Sequence, residues 1–170
     1  MLRKFGIIAV LSLIVTAIAA VPALAVGPTS VTSTGGLHVC EGTTLDVTAT
    51  KTATGAFLTS TGEVCGAGRT AEATLAGTAE VVTGCINPGS KNQQPRGLER
   101  SFTTVLGTQT FDTRQGRGTF RVNTDAVTLP GRTCPPPDEP VVVSVTFTDI
   151  VLTITSQTGT ISATFPDIDP

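Results

Sequence analysis

Four cysteines carry the most definite chemistry in this chain: Cys40, Cys65, Cys85 and Cys134. None of them has the C-x-x-C spacing of a zinc or redox motif, and His38 is the single histidine, so we expect no metal site. Four cysteines allow three pairings, of which we expect the sequential one, Cys40–Cys65 and Cys85–Cys134. The closed loops of about 26 and 50 residues would each contribute about 3–4 kcal/mol in the loop-entropy model.

A polar stretch between Asn87 and Arg100 is the other concentration of functional groups. Its amides and cations are Asn87, Lys91, Asn92, Gln94, Arg96 and Arg100. A disulfide at Cys85 would anchor one end of this loop. An anchored loop with many donors is suited to an anionic or polyhydroxyl ligand, and we predict a binding loop here. The alternative is a solvated connection between two sheets, which is the default for polar loops.

Catalytic side chains do not assemble into a recognisable motif. A Ser–His–Asp triad would have to use His38, and no G-x-S-x-G turn exists to present a serine. Asp167 and Asp169 could touch a cation, but a calcium site gathers more oxygens than these two. We therefore expect no catalytic residue, no cofactor and a solvated tail over residues 167–170.

Composition narrows the class of ligand. The chain contains no Trp and no Tyr, which disfavours stacking platforms for sugars and for nucleic-acid bases. Without Arg3 and Lys4, nine basic side chains stand against thirteen acidic ones, so nucleic acid is not an expected partner. A cell-wall polymer or another protein remains as the expected partner.

The first 25 residues have the layout of a secretory signal peptide. Arg3 and Lys4 precede an apolar run from Phe5 to Val21, and small residues follow up to Ala25. The run of about 17 residues is at the lower limit for spanning a hydrocarbon core of about 30 Å, and no basic cluster follows it. We predict cleavage after Ala25, secretion into the medium or the cell envelope, and no membrane contact afterwards.

Alternating apolar and polar residues predict that the mature chain is all-β. A strict period of two runs from Ala71 to Val81 and places small residues on one face. Inward positions continue from Val141 through Val143 to Phe147, and the parity then changes after Asp149, as a β-bulge would cause. We predict two strands separated by Gly107, an irregular connection over residues 53–68 with room for a short strand, and an extended polyproline segment after Cys134.

These patterns predict a single domain over residues 37–166, preceded by a flexible leader over residues 26–36. Seven or eight short strands joined by turns favour a two-layer antiparallel β-sandwich, immunoglobulin-like in general architecture. A small barrel is the alternative architecture.

Two segments of the chain resemble a known family. Residues 85–92 read C-I-N-P-G-S-K-N, and residues 133–137 read T-C-P-P-P before a Val-rich strand. This layout resembles small secreted proteins of actinobacteria, especially streptomycetes, over about residues 70–155. Each family segment contains one cysteine, which implies pairing of Cys85 with Cys134. The resemblance implies no established activity, and the chain departs from the pattern after Asn92, where Gln93 and Gln94 replace a common Pro.

The sequence as a whole predicts a secreted, non-enzymatic β-sandwich with a binding or cell-envelope role. A secreted hydrolase with unrecognised catalytic residues is one alternative. A protease inhibitor, which would use an exposed and disulfide-braced loop such as Cys85–Arg100, is the other.

Overall fold

The computed structural model describes residues 24–52, 55–91, 93–128, 131 and 133–170. The predicted signal peptide falls on residues 1–25, of which 1–23 lie outside the described residues. Every regular element within the described ranges is a strand, and none of them contains a helix able to cross a membrane. The strands are β1 (Ser30–Gly35), β2 (His38–Val39), β3 (Asp46–Lys51), β4 (Gly55–Cys65), β5 (Thr70–Ile86), β6 (Arg96–Asp112), β7 (Arg117–Asn123), β8 (Val127–Thr128), β9 (Glu139–Ser156) and β10 (Gly159–Thr164).

The strands form two antiparallel sheets. The first has the order β1-β10-β9-β5-β6. The second is centred on β4, with β2 and β3 along one edge and β7 and β8 along the other. The predicted two-layer antiparallel sandwich is confirmed, whereas its immunoglobulin-like general architecture stays a prediction. The prediction of seven or eight strands compares with ten in the described residues, two of which are only two residues long.

The inner face of β5 explains how closely the two sheets approach. Its six inward residues are all buried, as the alternation predicts: Ala71, Ala73, Leu75, Gly77, Ala79 and Val81. At Gly77 a Cβ atom would lie 3.3 Å from Leu58 Cδ1 of β4. Small side chains at the centre of β5 therefore let larger ones from the second sheet fill the interior.

Strand β9 contains two bulges, of which one was predictable. Its register against β5 shifts between Ala76 and Thr78, and Asp149 has φ of 51°, which confirms the predicted bulge. A second register shift falls between Val82 and Thr83 and leaves Val143 without a partner on β5. Val143 is 41% exposed, so the prediction that it points inward was wrong.

The predicted flexible leader contains a paired strand, and the predicted irregular connection contains an 11-residue strand where we allowed only a short one. Val26 exchanges backbone hydrogen bonds with Val47, and β1 pairs with β10 along its whole length, so residues 26–36 belong to the sandwich. The connection predicted over residues 53–68 contains β4, the central strand of the second sheet. Both corrections concern segments in which burial does not alternate.

The C-terminal segment is docked and is not a solvated tail. Ile168 is buried and exchanges two backbone hydrogen bonds with Phe147 of β9. The Asp167 and Asp169 side chains flanking it are exposed, and Asp169 accepts a hydrogen bond of 2.7 Å from Thr146. The predicted polyproline segment is also corrected, because Asp138 N–H donates to Pro135 O at 2.8 Å and closes a turn.

Both predicted disulfides are confirmed. Cys40 and Cys65 join β4 to the residue that follows β2, with Cα atoms 5.0 Å apart. Cys85 and Cys134 tie the end of β5 to the proline-rich segment before β9, with Cα atoms 5.8 Å apart. Two disulfides in a small all-β domain are typical of extracellular proteins.

Candidate binding surface

The predicted binding loop divides into a tight turn and the start of a strand. The turn is closed by the Asn87 side chain, whose Oδ1 accepts from Gly89 N–H at 3.0 Å, and by Ser90 N–H, which donates to Asn87 O at 3.0 Å. Lys91 and Gln94 follow this turn and are exposed. Asn92, which we also predicted to contribute, lies outside the described residues. Asn87 thus orders its own turn, while Lys91 and Gln94 face solvent.

The two arginines of the predicted loop belong to β6, which begins at Arg96 opposite Cys85. Arg96 is exposed. Arg100 reaches across to β5, where its guanidinium donates to Glu80 Oε1 at 2.7 Å. The charge of Arg100 is therefore compensated within the sheet, whereas Lys91 and Arg96 are the more accessible cations for an anionic ligand.

Both faces of the first half of β6 are exposed to solvent. We call this segment, Arg96–Thr104, the β6 arm. All its residues are exposed except Ser101, which is half-buried. Strands β5, β6 and β9 have 17, 17 and 18 residues, against 11 for β4, the longest strand of the second sheet. The first sheet is thus long enough to present one of its edge strands to solvent.

An exposed apolar row lies on the outer face of β6. Leu98, Phe102 and Leu106 are 62%, 65% and 52% exposed, and their spacing of four places them on one face of the strand. Phe102 lies opposite Glu80 and Leu106 opposite Ala76, both on the face of β5 away from the second sheet. Sequence reasoning missed this row, because apolar residues in a strand are expected to face the core.

The open edge of β6 ends near Leu106. There Asp125 N–H donates to Leu106 O at 3.0 Å. At Gly107 a Cβ atom would lie only 1.9 Å from Asn123 O, so this crossing requires glycine. Residues 123–125 therefore cover β6 at Leu106 and Gly107. Along the β6 arm, no other strand of the described chain pairs with the outer edge.

A polar groove of about 330 Å³ lies where the end of β6 and the turn after it meet β4 and β7, at the opposite end of β6 from the β6 arm. It is lined by Glu63, Asp112, Arg114, Arg117, Gly118 and Thr119. Arg117 donates to both carboxylate oxygens of Glu63, with Nη2 and Oε2 3.0 Å apart. These hydrogen bonds lower the pKa of Glu63 and raise that of Arg117. Sequence reasoning missed this pair, since its members are 54 residues apart and meet only through β4–β7 pairing.

The Glu63–Arg117 ion pair gives a directional pH prediction. Because the pKa of Glu63 is lowered in the folded state, its contribution to stability is present at neutral pH and is lost on acidification. Glu63→Gln should lower the free energy of unfolding at pH 7, and the difference from wild type should shrink as the pH falls below about 4. Urea unfolding at several pH values measures this difference. Glu72→Gln, an exposed change on β5, is the control, and an equal pH effect in both variants would contradict the prediction.

An apolar recess and the His38 side chain are two further surface features, and neither brings several functional groups together. A shallow apolar recess of about 290 Å³ is lined by residues including Pro28, Val31 and Val39. His38 is exposed, and its Nδ1 lies 2.9 Å from Gly36 O, so backbone contacts orient the ring. Among the residues that the structure describes, no group of three His, Cys, Asp or Glu side chains could hold a metal ion.

No protein-family model matches the sequence, and no curated protein is significantly similar to it. The surface geometry therefore carries the functional argument. The β6 arm with the preceding turn is the surface on which cationic and apolar side chains are jointly exposed next to a disulfide anchor, and it is our candidate site.

Proposed function

We propose that this is a secreted, non-enzymatic binding protein that associates with a cell-envelope polymer through the β6 arm and the turn before it. The observation that carries the proposal is the joint exposure of Lys91, Arg96 and the apolar residues Leu98 and Phe102 on one disulfide-anchored segment. Two disulfides support an extracellular location, since such bonds persist in oxidising compartments.

The expected partner is an anionic wall polymer. Exposed cations attract such a polymer through solvated charges, and adjacent apolar side chains add contact area without needing a deep pocket. Because Glu80 already compensates Arg100, Lys91 and Arg96 should contribute most of the attraction. A protein partner that recognises the same segment is the alternative occupant.

A non-enzymatic role is favoured by the state of the charged groups. The Glu63 carboxylate is ion-paired and its pKa is lowered, which makes it a poor general base near neutral pH. His38 is exposed and held by a backbone carbonyl, on the edge strand β2. A hydrolase would need a nucleophile and base in hydrogen-bond reach of each other, so the binding role is the better-supported proposal.

The test is binding of residues 26–170 to purified cell wall. The triple variant Lys91→Ala, Arg96→Ala, Arg100→Ala should bind about tenfold more weakly, since each solvated ion pair contributes about 0.2–1 kcal/mol. Wild-type binding should also weaken as salt rises past about 0.15 M, where screening acts over about 8 Å. Co-sedimentation across a salt series measures both effects.

A matched variant controls for the loss of charge. Arg69→Ala, Arg114→Ala, Arg121→Ala also removes three exposed cations but leaves the β6 arm intact, and it should bind like wild type. Equal binding by both triple variants would remove the segment from the binding surface. A wild-type protein that binds no wall material would overturn the envelope-polymer proposal and leave a protein partner as the alternative.

A further inference from the structure

We infer that the β6 arm pairs with the β6 arm of a second copy, across a two-fold axis at Phe102. The pairing is antiparallel and joins the first sheet of one copy to the first sheet of the other, which gives one continuous sheet. The pairing uses the backbone edge and the apolar row, so it shares Leu98 and Phe102 with the proposed polymer surface but not the cations Lys91 and Arg96. Self-association is measured without wall material, so a failure of the pairing and a failure of wall binding are distinguishable.

The direction of the backbone groups on β6 supports this pairing. Leu106 C=O accepts a hydrogen bond from Asp125, on the side of β6 away from β5. Backbone polar groups alternate between the two edges of a strand, so those of Thr104, Phe102 and Arg100 also point to the open edge. Phe102 would then exchange both backbone hydrogen bonds with Phe102 of the second copy. Arg100 would do so with the second copy's Thr104.

The side chains on the outer face are self-complementary about the same axis. Leu98 and Leu106 lie four residues on either side of Phe102, so a two-fold axis there brings Leu98 of each copy toward Leu106 of the other. The two Phe102 rings meet at the centre, where cross-strand aromatic pairs are stabilising. Arg100 faces Thr104, so no like charges lie directly opposite each other, and Glu80 still compensates Arg100 within its own sheet.

Other registers match the surface less well. An axis at Ser101 would place Leu98 opposite Thr104 and break the apolar match. An axis at Thr103 would place Arg100 opposite Leu106, whose carbonyl oxygen already accepts from Asp125. An axis at Arg100 would pair Leu98 with Phe102 but would place the two Arg100 side chains opposite each other. In the Phe102 register the hydrogen-bonded pairs Phe102–Phe102 and Arg100–Thr104 lie on the open part of the edge, and only the flanking Leu98–Leu106 contact reaches the carbonyl that Asp125 occupies.

The composition of the edge explains why a second copy should cover it. Residues 101–106, S-F-T-T-V-L, contain no charge and no Pro and have high β propensity. An open strand of this kind invites pairing, and native proteins usually protect such an edge with charges, Pro or a covering segment. A two-fold pair covers both edges at once and leaves neither open for further addition, which an unrelated strand would not do.

The experiment is sedimentation velocity of residues 26–170 over a concentration range. The wild type should dimerise reversibly. Phe102→Lys should raise the dissociation constant by about two orders of magnitude, because it removes the central aromatic contact and places two like charges opposite each other. Thr110→Lys adds the same charge to the outer face of β6 beyond Leu106, outside the proposed pairing, and it should dimerise like wild type. Circular dichroism checks that both variants are folded.

Cross-linking tests the register. Partners in a hydrogen-bonded antiparallel pair have Cα atoms about 5.5 Å apart, within the range that a disulfide spans. Phe102→Cys should therefore form a covalent dimer under mild oxidation, and Thr110→Cys should not. A wild type that stays monomeric up to about 100 μM, well above the concentrations at which specific dimers form, would overturn the inference. A dimer that persists in Phe102→Lys and does not cross-link at position 102 would also overturn it.

Discussion

Replacing Cys85 and Cys134 together by alanine is expected to lower the free energy of unfolding by about 4 kcal/mol, and the same change at Cys40 and Cys65 by about 3.5 kcal/mol. The sequence separations are 49 and 25 residues, and the longer bridge removes more chain entropy from the unfolded state. Urea unfolding of the two double variants, with the wild type beside them, measures both differences.

Hydrogen exchange separates the local from the global effect of each bridge. Cys85 lies opposite Arg96 and next to the predicted binding turn, so its loss should speed amide exchange over residues 86–100 beyond the change expected from global stability. Loss of the Cys40–Cys65 bridge should not speed amide exchange over residues 86–100 beyond the change expected from global stability. The reverse pattern would show that the Cys85–Cys134 bridge does not anchor the β6 arm.

Strands buried on one face were predictable from the sequence. Residues Ala71 to Val81 alternate strictly because β5 has its inner face against the second sheet and its outer face in solvent. The bulge at Asp149 was also visible, since an extra residue changes the parity of the buried positions after it. In such segments the alternation of apolar and polar residues follows the alternation of buried and exposed positions.

Strands whose two faces are similarly exposed or similarly buried show no such alternation in their sequence. All residues of β1 are exposed, so its Thr and Ser content resembles a flexible leader. Strand β4 has buried residues at consecutive positions such as Leu58, Thr59 and Ser60, because it is central in its sheet. Neither pattern has a period of two, and only pairing with distant partners makes these segments strands.

The candidate site was only partly predictable for the same reason. The cations Lys91, Arg96 and Arg100 were found from composition, and the anchor at Cys85 from the pairing of cysteines. The apolar row was not found, because whether Phe102 faces core or solvent depends on where the second sheet ends. The ion pair of Arg100 with Glu80 likewise required the register of β5 against β6.

The second large effect is expected at the centre of the sandwich, where Phe147→Ala should lower the free energy of unfolding by about 3–5 kcal/mol. Phe147 is fully buried, lies opposite Ala79 of β5, and exchanges backbone hydrogen bonds with Ile168. Alanine there loses the transfer free energy of the ring and leaves a cavity that the paired backbone cannot close. The midpoint of urea unfolding should fall accordingly, with the slope unchanged.

Phe102→Ala is the matched control, because it makes the same chemical change in the same sheet at a side chain that is 65% exposed. It should change the free energy of unfolding by no more than about 0.5 kcal/mol when unfolding is measured at a concentration low enough to keep the protein monomeric. The contrast isolates burial from residue type, since both variants lose one aromatic ring from a strand. Equal costs at the two positions would mean that Phe147 is not part of the core, and a larger cost at Phe102 would mean that the outer face of β6 is covered within a single copy.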